Sequence, residues 1–134
     1  MVKMSVVYQG QKHCELTHEQ SGTVIETDAP KDNQGKGERF SPTDLMGAAL
    51  GSCILTTMAL NAENESLSLE GSTATVEKVM TPPPRRVASL AVRVTMPARL
   101  TSEQRAKLEN FGRNCPVIRS LHPEVQLPIS FEYK

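Results

Sequence analysis

One stretch limits the fold more than any other. From Leu45 to Ala62 the sequence carries no charged side chain. Such a run is close to the length that crosses a bilayer. It is diluted, however, by Gly47, Gly51, Ser52, Thr56, Thr57 and Asn61, and a buried helix fits it better than a membrane span. The residues before it read as a helix start. Ser41-Pro42-Thr43-Asp44 supplies an N-cap hydroxyl, a proline at the first helical position and a carboxylate three residues past the cap. The helix is expected to run to about Asn64. Its middle is apolar on nearly every face, so it should lie between other elements, not on one side of them. Gly47 and Gly51, four apart, let another backbone come close on that face.

The remainder reads as strands and one or two shorter helices. Lys3 to Tyr8, His13 to Glu19 and Thr23 to Thr27 are strand-like, with a turn at Gln20-Ser21-Gly22. The polar stretch Ala29 to Glu38 is a loop. Leu69 to Met80 and Val87 to Met96 are the next strands, separated by Thr81-Pro82-Pro83-Pro84, which cannot continue a ladder. Thr101 with Gln104 forms a capping box for a second helix, ended near Gly112. Asn114-Cys115-Pro116 restarts a short helical stretch to about Leu121. Val125 to Tyr133 is a final strand, with Pro128 pointing to an edge or bulge. The 134 residues suit a single domain over 1–134. The order β-β-β-α-β-β-α-β makes the fold class α+β.

Charge and cysteine content exclude several partners. The formal net charge is zero, so neither the basic footprint of a nucleic-acid binder nor an attraction to anionic membranes is present. The N-terminus lacks the apolar run and cleavage site of a signal peptide, and a cytoplasmic location is expected. The three cysteines are an odd number, unlike a secreted disulfide framework. No Cys-x-x-Cys pair occurs, and the histidines lie far from Cys53 in sequence. No metal site and no cofactor are expected.

The cysteines themselves are the chemical candidates. Cys53 sits inside the apolar helix, where a free cysteine is ordinarily a small core hydrophobe. Cys115 lies at or next to a helix start, followed by Pro116. Unpaired backbone N–H groups there favour an anion, and a thiol in that position is expected to fall below its free pKa of about 8.5. Arg113 and Arg119 would add positive potential. Cys14 lies in a strand with His13 on the opposite face, a poor activator, and reads as structural. Asp44 is explained by the capping box. Nine helical residues place it on the face opposite Cys53, about 13–14 Å along the axis, so it reaches that thiol only across a break near Gly47 or from another subunit. His18 and His122 read as surface or loop residues.

Two motifs give these residues a context. Ser41-Pro42-Thr43-Asp44-Leu45 followed by Ala48-Ala49-Leu50-Gly51-Ser52-Cys53, and then Asn114-Cys115-Pro116-Val117 before a final strand, resemble the signatures of the OsmC/Ohr family. The resemblance covers nearly the whole chain. It implies an intertwined homodimer with central helices packed within sheets from both subunits, and two thiol sites at the interface. It also implies a thiol-dependent peroxidase. The cysteine matching Cys53 attacks an organic hydroperoxide, the one matching Cys115 resolves the sulfenic acid as a disulfide, and an external dithiol reductant restores both. Peroxidase members activate the attacking thiol with an arginine from the N-terminal strand region and a carboxylate ten residues before it. Here the first 38 residues contain no arginine, and Thr43 occupies the carboxylate position with Asp44 one place later. Arg39 is the nearest substitute. The expected catalytic set is therefore Cys53, Cys115, Arg39 and Asp44. A second reading keeps the fold as a redox-sensing or binding dimer without efficient turnover, and a third makes both cysteines inert.

Overall fold

A computed structural model describes residues 1–134. The element order is β1 (Met4–Tyr8), β2 (His13–His18), β3 (Val24–Asp28), a short 3-10 turn (Lys31–Asn33), α1 (Pro42–Glu63), β4 (Thr73–Met80), β5 (Val87–Met96), α2 (Ser102–Gly112), α3 (Pro116–Ser120) and β6 (Ile129–Tyr133). The α+β class and the expected order hold. The boundaries differ most at β4 and β6, which begin four residues later than their apolar patterns suggest. The chain divides into two compact units, Met1–Met46 and Gly47–Lys134.

The first unit is an antiparallel meander in the order β1-β2-β3. The turn after His18 sets the register, in which Thr17 pairs with Val24 and His13 with Asp28. Strand periodicity then sorts the side chains. Met4, Val6, Tyr8, Cys14, Leu16 and Ile25 share one face, while His13, Glu15, Glu26 and Asp28 share the other. The apolar face is not covered: Met4, Val6, Tyr8 and Ile25 are 67, 61, 65 and 47% exposed.

The second unit carries the core. β4 and β5 pair antiparallel, and β6 joins β5 in parallel after the crossover through α2 and α3. β5 is therefore central, and its alternate residues Leu90, Val92, Val94 and Met96 are buried. They pack with Leu50, Ile54 and Met58 of α1 and Leu108 of α2. Each such side chain contributes about 1.5–3 kcal/mol of apolar burial. β6 lies at the sheet edge, as Pro128 indicates: the proline sits just before the strand, where only its carbonyl is used, by the Val92 N–H.

The helix α1 is unbroken from Pro42 to Glu63. It is long and apolar enough to cross a membrane by length and composition, yet Gly47, Leu50, Gly51, Ile54, Met58 and Ala62 form a buried stripe. The two glycines admit the sheet. A β-carbon at Gly51 would lie 3.1 Å from Val76 Cγ2, and one at Gly47 would lie 3.4 Å from Val76 Cγ1. The expectation that α1 is covered on all sides is not met within this chain. Met46, Ala48, Ala49, Ser52, Thr56 and Leu60 remain exposed. Its start is the expected box. The Ser41 N–H donates to Asp44 Oδ2 at 2.8 Å, and the Asp44 N–H donates to Ser41 Oγ at 3.0 Å. Replacing Ser41 by Ala should lower stability by about 1 kcal/mol, measured by urea denaturation. An unchanged midpoint would show that the cap carries no stability.

Candidate thiol site

Cys53 and Cys115 reach each other from different elements. Cys53 stands on α1, half-buried and packed against the core. Cys115 is the N-cap of α3, with Pro116 at the first helical position, and is fully buried. The two side chains are neighbours, near enough for Cys53 to bear on the Cys115 thiol, and both are free thiols. The Thr57 hydroxyl lies 3.9 Å from the Cys53 sulfur, one helical turn further along α1.

The expected acidification of Cys115 is overturned. Burial pushes this thiol above its usual range, because a thiolate out of water is costly. The N–H groups of Ile118 and Val117 at the helix start pull in the opposite direction. The neighbouring Cys53 adds to the rise. The helix-start effect foreseen from sequence is thus real but smaller than desolvation. Arg113 does not supplement it: its guanidinium donates to the Ile129 carbonyl at 3.3 Å and lies 5.0 Å from the Phe131 ring centroid.

Of the other sequence candidates, Asp44, Arg39, Cys14 and His18 sit in the Met1–Met46 unit and His122 in the Gly47–Lys134 unit. Asp44 belongs to the capping box, and the continuity of α1 removes the break that would have turned it toward Cys53. Arg39 donates from Nε to Glu26 at 3.1 Å and from Nη1 to the Glu38 carbonyl at 2.9 Å. Cys14 stands on β2 opposite Tyr8 and Thr27. His18 contacts Ser21 at 2.6 Å, and His122 accepts from the Glu124 N–H at 3.1 Å. Both are local turn contacts, as their positions suggested.

A charged cluster escaped the sequence reading. His13 places Nδ1 2.6 Å from Asp28 Oδ1 and Nε2 3.1 Å from Glu26 Oε1. With a carboxylate at each ring nitrogen, the imidazole is held as a double donor. The Glu38 N–H also donates to Asp28, and the Asp28 N–H donates to the Phe40 carbonyl. The cluster therefore clamps the segment that leads into α1. The signal was present in the sequence, since the Gln20-Ser21-Gly22 turn fixes the register that pairs His13 with Asp28.

These contacts shift all three groups. The hydrogen bond to Asp28, then that to Glu26, raises His13 above 6.5. Arg39 and then His13 lower Glu26 below 4.5, and His13 lowers Asp28 below 3.8. The imidazolium contribution is complete below pH 6.5 and is lost as pH rises through the higher folded value. The carboxylate contributions are complete above about pH 4.5 and are lost as pH falls through their lower folded values. The stability advantage of the wild type over His13→Gln should thus be largest between about pH 4.5 and 6.5 and shrink toward pH 9. Melting temperatures of both proteins across that range test this, and a difference that does not vary with pH would contradict it.

A buried thiol and a half-buried thiol, brought together from two helices of an α+β fold, define a paired-cysteine protein. Comparison with known proteins places it further. The family model described as OsmC-like protein matches residues 35–130. A search of curated proteins finds no match. The chain is similar to a Psychrobacter arcticus protein whose assignment to osmotic stress and detoxification response is itself provisional. The two are 39% identical with a TM-score of 0.94, covering 98% of this chain and 96% of that one. The fold is also that of an organic hydroperoxide resistance protein OsmC from Legionella pneumophila, at 17% identity and a TM-score of 0.78, over 98% of this chain and 96% of that one. An organic hydroperoxide resistance protein from Elizabethkingia anophelis matches at 13% identity and a TM-score of 0.80, over 100% and 96%. This chain belongs to the OsmC-like family.

Proposed function

We propose that this protein is a thiol-dependent peroxidase acting on organic hydroperoxides, with Cys53 as the attacking and Cys115 as the resolving residue. The observation that carries the reading is the pair of neighbouring thiols, Cys53 and Cys115, in a chain of this family. The division of labour follows from environment. Burial pushes the Cys115 thiol up, so it stays protonated until a sulfenic acid forms beside it. The Cys53 thiolate attacks the distal oxygen of the hydroperoxide. The S–O bond forms as the O–O bond breaks, and the alkoxide leaves with the electron pair and takes up a proton to become the alcohol. Sulfur is oxidised by two electrons and the peroxide reduced by two. Cys115 then displaces hydroxide from the Cys53 sulfenic acid, and its proton leaves with that hydroxide as water. An external dithiol returns both thiols by exchange, which suits a reducing, cytoplasmic setting.

The same reading includes a homodimer. The uncovered apolar face of β1-β2-β3 and the exposed side of α1 support it, because a second copy would bury both. Arg39 and Asp44 serve the thiol site in this reading as groups supplied by that copy. A second reading, a redox-sensing dimer with little turnover, is favoured by the engagement of Arg39 with Glu26 and by the lack of any arginine in the first 38 residues.

The test is direct. Sedimentation should give a dimer mass. Cumene hydroperoxide with dithiothreitol should be consumed catalytically by the wild type and not by Cys53→Ser, and mass spectrometry of unreduced peptides should find the Cys53–Cys115 disulfide. One turnover and no more would select the sensor. Both thiols remaining free after peroxide would sink both readings.

A further inference from the structure

Two polar lines run along the middle of α1: Ser52 and Thr56 are exposed, and the other line is half-buried. Cys53, Thr57 and Asn61 follow one another at four-residue intervals, so they stack along one side of the helix. All three are half-buried. Asn61 Nδ2 donates to the Thr57 carbonyl at 2.8 Å, and the Thr57 hydroxyl lies 3.9 Å from the Cys53 sulfur. A threonine inside a helix costs stability relative to alanine or leucine, and its hydroxyl commonly turns back to the carbonyl four residues earlier. Here it lies within hydrogen-bond reach of the Cys53 sulfur instead.

We propose that Thr57 is a working residue of the thiol site, its hydroxyl donating a hydrogen bond to the Cys53 sulfur. This rests on the reading of Cys53 as the attacking thiol. The bond is strongest when the sulfur carries a full charge. Thr57 approaches the sulfur from one turn further along α1, while Cys115 neighbours it from α3. As the peroxide oxygen transfers to sulfur and the alkoxide departs with the electron pair, the hydroxyl keeps its proton and remains next to the new sulfenic acid. Asn61, by fixing the Thr57 carbonyl, supports the same turn of helix.

The pH dependence of Cys53 alkylation tests the proposal without peroxide. Iodoacetamide labelling of the full-length protein, followed at the Cys53 peptide by mass spectrometry, gives the pH at which the rate is half its limiting value. A hydrogen bond to a charged group is of a size that shifts this midpoint by about one pH unit. Thr57→Val, close in shape, should move the midpoint up by about that much and slow labelling at pH 7 several-fold. Thr57→Ser should restore it, because it returns the hydroxyl. Thr57→Ala repeats the test should the valine variant fold poorly, and melting temperatures identify that case. An upward shift in the valine or alanine variant, reversed by serine, supports the proposal even if the wild type consumes no peroxide, an outcome that would count against the peroxidase reading alone. Profiles that coincide with the wild type in folded variants overturn it, whatever the peroxidase assay shows.

Discussion

The close approach of α1 to the second sheet is the constraint on which the rest depends. Gly47 and Gly51 let Val76 come within distances that a side chain at either position would crowd. That contact seats Leu50, Ile54 and Met58 in the core, and Cys53, in the next position around the helix, is carried to the edge of the same core. At the far end Gly112 does the same for α2. A β-carbon there would lie 2.9 Å from Met58 Sδ and 3.3 Å from Ile54 Cγ2. The end of α2 is thus held against α1, and the short connection through Arg113 and Asn114 delivers Cys115 beside it. The thiol pair is thus a consequence of glycine packing.

The two titratable clusters show the same physics with opposite outcomes. His13 has a carboxylate on each nitrogen and remains partly in solvent, so partners dominate and the charged form is favoured. Cys115 has two amide N–H groups facing it but lies fully buried, so desolvation dominates and the neutral form is favoured. Counting favourable neighbours along the sequence cannot separate these cases. What separates them is how much water each group keeps, a property of the folded chain.

That distinction also marks what could be read from the sequence. Local signals were dependable. The boxes at Ser41 and Thr101 and the edge position implied by Pro128 are all present. Each rests on chemistry within a few residues. Cys53 and Cys115 were singled out from motif resemblance and helix position, and the fold brings them together. The acidity of Cys115 was misjudged because burial is non-local. The His13 cluster was missed because its members are fifteen and more residues apart, and only the hairpin register joins them. Thr57 went unnoticed as a plain helical residue, although its four-residue spacing from Cys53 was legible throughout.

The raised pKa of Cys115 suits a resolving thiol in the proposed cycle. A thiol that is mostly protonated competes poorly for peroxide, so in that cycle oxidation would fall on Cys53. Once the sulfenic acid has formed, the same thiol faces it within the protein. Holding two groups in place raises their effective concentration to values no free thiol can match, which offsets the small thiolate fraction. Its proton is then an advantage, because the departing hydroxide needs one to leave as water. An acidic Cys115 at the helix start would instead offer that cycle two competing nucleophiles. Burial of Cys115 by the packing of α1, α2 and α3 is therefore what makes the two cysteines unequal.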